Sequence, residues 1–293
     1  MPGLKDVKDK IEGVTKTSQI TQAMNMVASA KLRGAQEKME AFRPYSEKFS
    51  ETMGDLSGGM DGGNLPLMEV REVKSVEIVV VTSDRGLCGS FNAHILSTAL
   101  NLMQKYESEG KKVSFVTVGN KAHQGLKRTG KIRASFKDIM GTFQMYNARE
   151  ISMGISENFI NGESDQVDLI YGKFHSVAVQ KPEVEELLPI KPVASEEEVE
   201  EKKSEVSGAY IYEPDPEEIM EVLLPLYLNV QVYHAMIEVG ASEHAARMTA
   251  MDNATNACKD MIAELTQLYN KARQAAITGE LMDIVGGAEA LKG

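Results

Sequence analysis

The sequence predicts an α/β fold in which long N- and C-terminal helices pair as an antiparallel coiled coil around an inserted α/β domain with a mostly parallel sheet. Three observations predict it. Leu4, Val7, Ile11 and Val14 step by three, four and three, which is the seam of a coiled-coil helix. Thr255, Cys258, Ile262, Leu265, Tyr269, Ala272 and Ala276 repeat that pattern near the other end. Between them, Val76 to Thr82 (VEIVVVT) is a continuous β-branched run, as expected of a strand buried on both faces.

The N-terminal helix is expected over 1–57. Pro2 suits its first turn, where a missing N–H costs nothing. After an interruption at Thr17-Ser18 the apolar pattern resumes at Ile20, Met24, Val27 and Leu32 to Ala35. Pro44 marks a kink, and the Gly58-Gly59 and Gly62-Gly63 pairs with Pro66 close the segment. The central domain is expected over 70–212. Strands are predicted at Val76 to Thr82, Val113 to Val118, Ile132 to Phe136 and Val167 to Phe174. Helices are predicted at Ser90 to Glu109, Asn120 to Arg128 and Gln144 to Phe159. That alternation means βαβ units, a Rossmann-like arrangement with helices on both faces of the sheet. Val177 to Leu188 adds an antiparallel strand and Tyr210 to Tyr212 a short one, while Lys191 to Ser207 reads as a polar, Glu-rich loop.

The C-terminal helix is expected over 215–287, with Asp215 as its N-cap and Pro225 kinking or restarting it. A helix of about 60 residues is on the order of 90 Å long, more than a small domain can cover. The N-terminal helix is the available partner. Small residues (Ala23, Ala28, Ala30, Gly34; Ala245, Ala246, Ala250, Ala254) are expected at the seam, where they let two backbones approach. The alternative is that both helices fold back onto the α/β domain.

Composition narrows the classes. A net charge of −11 argues against generic nucleic-acid binding. No run of about 20 apolar residues suggests a membrane span, and the charged stretch Met1 to Lys10 lacks the apolar core of an export signal. Two distant cysteines, Cys88 and Cys258, offer no disulfide framework and suit a reducing compartment. The charge is uneven: Gly13 to Gln36 holds Lys16, Lys31 and Arg33 and no acid, while Glu183 to Glu205 holds nine acids against three lysines.

Catalytic signals are weak. The loop Thr82 to Ser90 (TSDRGLCGS) follows a buried strand and opens a helix, where phosphate-binding loops sit. Its spacing is neither GxGxxG nor the GK[ST] pattern. Cys88 near a helix N-terminus has no histidine close in sequence to act as its base. A tight turn tied down by Asp84 and Arg85 accounts for the loop better. His94, His123, His175, His234 and His244 show no metal-ligand spacing, so no cofactor or metal is expected. Met24, Met26 and Met39 on one end segment, and Met236, Met248, Met251, Met261 and Met282 on the other, suit core filling or an interface that slides over changing partners. Asn270, Lys271, Arg273 and Gln274, followed by Thr278, Glu280 and Asp283, contain no catalytic pair. A solvated face is the simple reading of them, although Arg273 is able to form a bidentate bond to a partner's carboxylate.

Three motifs carry a family resemblance. ITQAMNMVA (Ile20 to Ala28) leads into Ala30-Lys31-Leu32-Arg33. SDRGLCGSFN (Ser83 to Asn92) follows. The C-terminal half supplies ASEHAARMTAM (Ala241 to Met251), YNKARQAAIT (Tyr269 to Thr278) and GELMDIVGGAEAL (Gly279 to Leu291), the last within the pattern I-T-x-E-x-x-[DE]-x-x-x-G-A from Ile277 to Ala288. In this order, over the whole chain, they resemble the gamma subunit of bacterial F-type ATP synthases.

The resemblance implies a non-catalytic rotor shaft that couples proton-driven rotation of the c-subunit ring to ATP synthesis or hydrolysis in the alpha/beta hexamer. It implies the alpha and beta subunits, the epsilon subunit and the c ring as partners, at the cytoplasmic face of the bacterial inner membrane. By resemblance Met24, Lys31 and Arg33 lie near an acidic lever segment of beta. Arg273 and Gln274 meet a loop of the hexamer, and Arg247 and Glu280 fall at coupling positions. The central domain has no cysteine pair, so the redox switch of chloroplast members is not implied. The competing classes are a nucleotide-binding enzyme built on the α/β domain and a static coiled-coil scaffold.

Overall fold

The computed structural model of the chain describes residues 4–57, 65–191 and 216–290. In chain order its elements are α1 (Leu4–Ser57), β1 (Ser75–Val81), α2 (Phe91–Ser108), β2 (Lys112–Val118), α3 (Asn120–Leu126) continued by a 3-10 turn, β3 (Ile132–Phe136), α4 (Met145–Ile160), β4 (Gln166–Phe174), β5 (Gln180–Leu188) and α5 (Pro216–Ala290). The expected short strand at Tyr210 to Tyr212 and most of the Glu-rich segment lie outside the described residues. The chain divides into two compact units: residues 1–29 with 247–293, and residues 30–246.

The first unit is a pair of helices. On α1 the residues withdrawn from solvent include Leu4, Val7, Ile11, Val14, Ser18, Thr21, Asn25 and Ala28, in unbroken steps of three and four, with Thr15 and Met24 half-buried beside them. On α5 they include Met248, Met251, Thr255, Cys258, Ile262, Leu265, Tyr269, Ala272 and Ala276, in the same steps. The pairing is antiparallel: Thr21 Oγ1 lies 2.7 Å from Thr255 Oγ1, while Asn25 Nδ2 donates to the Met248 carbonyl at 2.9 Å. A higher number on one helix meets a lower one on the other. Thr255 also donates to the Met251 carbonyl, so this buried hydroxyl pair is satisfied.

The expected continuation through Ile20 and Val27 is corrected here, while Met24 is half-buried as expected. Ile20 is 60% and Val27 57% exposed. The seam runs instead through Ser18, Thr21 and Asn25, because strict three-four spacing, and not apolarity, decides which side chains face the partner helix. Among the small residues expected there, Ala28 is buried, but Ala23 is exposed.

The second unit holds a five-stranded sheet of order β3-β2-β1-β4-β5. β1 pairs in parallel with β2 and β4, and β2 with β3; β5 returns antiparallel to β4. Val76 and Ile78 to Val81 are buried, as the unbroken β-branched run requires of a central strand covered on both faces. Gly119, at φ +93°, closes β2 into α3; a Cβ there would stand 2.3 Å from the Thr82 carbonyl oxygen. Ala30 and Gly34, expected at a seam, are exposed, whereas Ala245 and Ala246 are buried as expected.

In this unit α1 and α5 also meet antiparallel. Phe42 packs edge-on to Tyr233 at 5.0 Å between ring centres, and Phe49 stacks on Tyr227 at 6.3 Å. α5 is joined to the sheet by Glu238, whose carboxylate accepts from the Phe174 N–H at 2.7 Å and lies 3.6 Å from His234. Pro44 and Pro225 interrupt neither helix: α1 and α5 continue through them. Each costs one helical hydrogen bond, and tertiary packing of residues such as Phe42, Leu224 and Leu228 outweighs that loss. The stretch Glu218–Glu289 is long and apolar enough to cross a membrane, but half of its most apolar part is buried inside the protein, as in a core helix.

Two buried carboxylates lie on the strands of the sheet itself. Glu77, fully buried on β1, is held by Arg133 from β3, whose Nη2 donates to Oε2 at 3.1 Å and to the Gly154 carbonyl at 3.2 Å. Burial pushes the Glu77 carboxyl above the usual range, against the pull of Arg133. Asp168 on β4 accepts from the Tyr106 hydroxyl at 2.6 Å and from Gln166 at 2.8 Å; burial raises its carboxyl as well. Replacing Arg133 by Met leaves Glu77 without its cation. The expected loss is about 3 kcal/mol at neutral pH. A carboxyl whose folded pKa is raised binds its proton more tightly in the folded state. The variant therefore regains stability as pH falls through the raised value towards the unfolded one, and loses it as pH rises. Urea denaturation at two pH values checks both the size and the sign.

Candidate partner-contact site

The residues expected to contact partners do not converge on a pocket. Within the first unit Met24 and Arg247 are half-buried, Met24 directly beside the seam position Asn25. Arg273, Gln274 and Glu280 are exposed on α5. Within the second unit Lys31 and Arg33 are exposed on α1, and Arg33 makes only a surface pair with Glu37 at 3.3 Å, one turn away. Such a pair contributes little to stability and leaves the guanidinium accessible.

The more informative set is one that sequence reasoning reached only through its methionines. Ile20, Met26 and Val27 stand outside the seam of the first unit, 57–62% exposed. On α5, Met261, Leu268, Ile277, Leu281, Met282, Ile284 and Val285 are likewise exposed. Every residue from Ile277 to Glu289 is exposed. Paired helices that have closed their own seam have no internal reason to carry these side chains, and exposed apolar surface of this kind marks contact with another chain. A signal was available. Extending the three-four steps from Leu4, Val7, Ile11 and Val14 leads to Ser18, Thr21, Asn25 and Ala28, and so excludes Ile20, Met26 and Val27.

The loop after β1 is tied down from within. Asp84 accepts from the backbone N–H groups of Asn120 at 2.9 Å and Asp138 at 3.1 Å through Oδ1, and of Met140 at 2.9 Å through Oδ2. Thr82 Oγ1 accepts from the Ala122 N–H at 2.7 Å. Asp84 and Thr82 thus occupy the N-terminus of α3, whereas α2, the helix that the loop itself opens, starts after Ser90 without a side-chain cap. Asp84 ties the loop as expected, while Arg85 enters through its backbone carbonyl, which accepts from Ser83 Oγ at 2.7 Å. Cys88 is 2% exposed, with the Asn92 amide 3.1 Å from its sulfur, which is a packed thiol and not an open nucleophile. Among the described residues no cluster of three or more His, Cys, Asp or Glu is arranged to hold a metal ion.

Asp84→Ala removes three charge-assisted bonds and is expected to destabilise the protein by about 3 kcal/mol, measured by chemical denaturation. A thiol reagent added to the folded protein should modify the half-buried Cys258 before Cys88, which reacts only on unfolding. Equal rates in Cys88→Ala and Cys258→Ala variants would contradict the packed-thiol assignment.

Comparison with known proteins follows the same lines. A family model described as ATP synthase matches residues 3–291. A protein of Desulfotalea psychrophila named ATP synthase gamma chain is 62% identical over 292 residues, covering all of both chains. Its namesake from the Hildenborough strain of Nitratidesulfovibrio vulgaris is 53% identical over 295 residues, again covering both chains completely. Among solved structures, the central stalk and c-ring of Tetrahymena thermophila mitochondrial ATP synthase contains a chain 28% identical to this one. The match has a TM-score of 0.61 and covers 80% of this chain and 99% of that one. A chain of the Euglena gracilis mitochondrial enzyme, in a structure of its OSCP, F1 and c-ring, shares the fold at 20% identity and a TM-score of 0.68, over 98% of this chain and 94% of that one.

Proposed function

Because the chain belongs to the ATP synthase gamma chain family, we propose that its first unit is the working surface of a rotor shaft, turned inside the alpha/beta hexamer of the catalytic head. The observation that carries this reading is the set of apolar side chains left outside a closed helical seam, from Ile20, Met26 and Val27 to Ile277, Leu281 and Met282.

As a gamma chain, it is the central stalk of an F-type ATP synthase, a membrane-associated complex that makes ATP. The solved relatives in the Tetrahymena and Euglena enzymes stand in rotor assemblies with F1 and a c-ring. Here the shaft couples rotation of the c ring to synthesis or hydrolysis of ATP, with the alpha and beta subunits, the epsilon subunit and the c ring as its neighbours. The chain has no catalytic site and takes no cofactor of its own. It works at the cytoplasmic face of the bacterial inner membrane, within a proton-driven complex. Its segments divide the labour: helices 1–57 and 215–287 form the shaft, and domain 70–212 connects to the ring.

The mechanism is differential contact. A shaft shifts the nucleotide affinity of a catalytic site only by touching its alternative states unequally. A surface with apolar side chains at some azimuths and charged ones at others meets three surrounding sites differently at every angle. Methionines such as Met24, Met26, Met261 and Met282 suit this, because unbranched side chains repack against successive partners. Lys31 and Arg33 offer cations to an acidic lever segment of beta. Arg273 and Gln274 form hydrogen-bonded contacts with a loop of the hexamer, and Arg247 and Glu280 complete the coupling surface.

Replacing Arg273 and Gln274 together by Ala should lower ATP turnover of the assembled complex by about tenfold, the loss of roughly one charge-assisted contact in the coupling step. Stability of the isolated chain should change by less than about 0.5 kcal/mol, since both residues are exposed. A cysteine introduced on the first unit and joined by a disulfide to the hexamer should stop turnover, which reduction restores. Turnover that persists in the joined state would make the chain a static scaffold.

A further inference from the structure

The second unit carries a basic face that its overall charge does not foreshadow. The chain is −11 in total, yet from Lys111 to Lys137 it holds eight Lys or Arg and no Asp or Glu. Folding sorts these eight. Lys111 pairs with Glu109, Lys131 with Glu107, and Arg133 with buried Glu77. Among the described residues, no carboxylate lies within ion-pair distance of Lys121, Lys127, Arg128 or Lys137.

These remaining cations are strung along α3 and β3: Lys121 and Lys137 follow the ends of β2 and β3, whereas Lys127 and Arg128 lie in the turn between α3 and the start of β3. Lys121 opens α3 and reaches the Arg85-Gly86 turn, its Cε 3.6 Å from where a Cβ on Gly86 would stand. His123 is 3.1 Å from Ser135 on β3. Partial burial, with the nearby ammonium groups of Lys137 and Lys127, holds its imidazole below the usual range. Two acids border the cluster. Asp84 is committed to three backbone N–H groups, and Asp138 accepts from the Asn120 side chain at 2.5 Å. They diminish the positive potential without cancelling it.

Two further observations define the partner. Among the described residues β3 is the outer strand of the sheet, hydrogen-bonded on one side to β2, so its other edge offers backbone donors and acceptors to an extended chain. No large apolar side chain between Lys111 and Lys137 is exposed, and the loop that carries Arg85 adds the single exposed Leu87, too little apolar surface to anchor in the acyl region of a bilayer. We propose that the face formed by Arg85, Lys121, Lys127, Arg128 and Lys137, beside the open edge of β3, docks an extended acidic segment of another polypeptide. This inference is independent of the shaft reading of the first unit.

The test uses the full chain and fluorescent poly-L-glutamate, with phosphatidylglycerol vesicles as a second probe. A face variant carries Lys121→Gln, Lys127→Gln, Arg128→Gln and Lys137→Gln. A control variant removes as many charges elsewhere, through Lys5→Gln, Lys8→Gln, Lys10→Gln and Lys271→Gln. The unmodified chain is expected to bind polyglutamate in about 0.02 M salt and to release it near 0.3 M, as the screening length shortens. The face variant should bind about tenfold more weakly or worse, and the control should stay within about twofold. Circular dichroism confirms that both variants are folded. Equal losses in the two variants would reduce the effect to net charge and overturn the proposal. So would an absence of polyglutamate binding by the unmodified chain, or tighter binding to the vesicles than to polyglutamate.

Discussion

A helix that has no sheet to lie on must be covered along its length by another helix, and the first unit depends on how that covering is achieved. Its seam keeps strict three-four steps on both strands while giving up apolar side chains at Ser18, Thr21 and Asn25. Polar seam positions weaken a coiled coil but select one register, because only one alignment satisfies them. Here the Thr21–Thr255 hydroxyl pair and the bond from Asn25 to the Met248 carbonyl set that alignment. Small side chains at Ala28, Ala272 and Ala276 allow the backbones close together. The stability forgone at the seam is a cost of fixing which residues face outward.

What faces outward then becomes functional. A pair free to slip or rotate would present an averaged surface, and an averaged surface cannot distinguish three neighbouring sites. With register pinned, Ile20, Met26 and Val27 keep defined positions, and so do the exposed apolar residues of α5. Differential contact requires such fixed asymmetry. Fixing it with buried hydroxyls and a side-chain amide, instead of with bulk, also keeps the pair slender.

The second unit uses polarity in another way. Its parallel strands are covered on both faces, yet Glu77 and Asp168 lie inside, each satisfied by dedicated partners. Arg133 bridges β3 and α4 through Glu77 and the Gly154 carbonyl. Asp84 gathers the starts of α3 and of the segment after β3 onto one carboxylate. Pairing of the acids with Lys111, Lys131 and Arg133 leaves Lys121, Lys127, Arg128 and Lys137 without a carboxylate partner among the described residues. The net charge of −11 is therefore a poor guide to the potential at any given surface of the protein.

Most elements were legible in the sequence because their signals are local. β-branched runs, alternation of strand and helix, and caps or glycines at their ends are properties of neighbouring residues, and β3 falls at its predicted limits, Ile132–Phe136. Motif order identified the family for the same reason. Local signals failed wherever the answer depended on a second segment. Apolarity nominated Ile20 and Val27 for the seam, but only the partner helix determines which azimuth is covered. Proline nominated a kink or a restart at Pro225, and packing on the sheet and on Phe49 and Phe42 carries the helix through it without a restart. The placement of Arg273, Gln274 and Glu280 on an exposed helix follows from helical period alone. That Ala272 and Ala276 stay withdrawn from solvent while every residue from Ile277 to Glu289 is exposed was decided only by the pairing of the two helices.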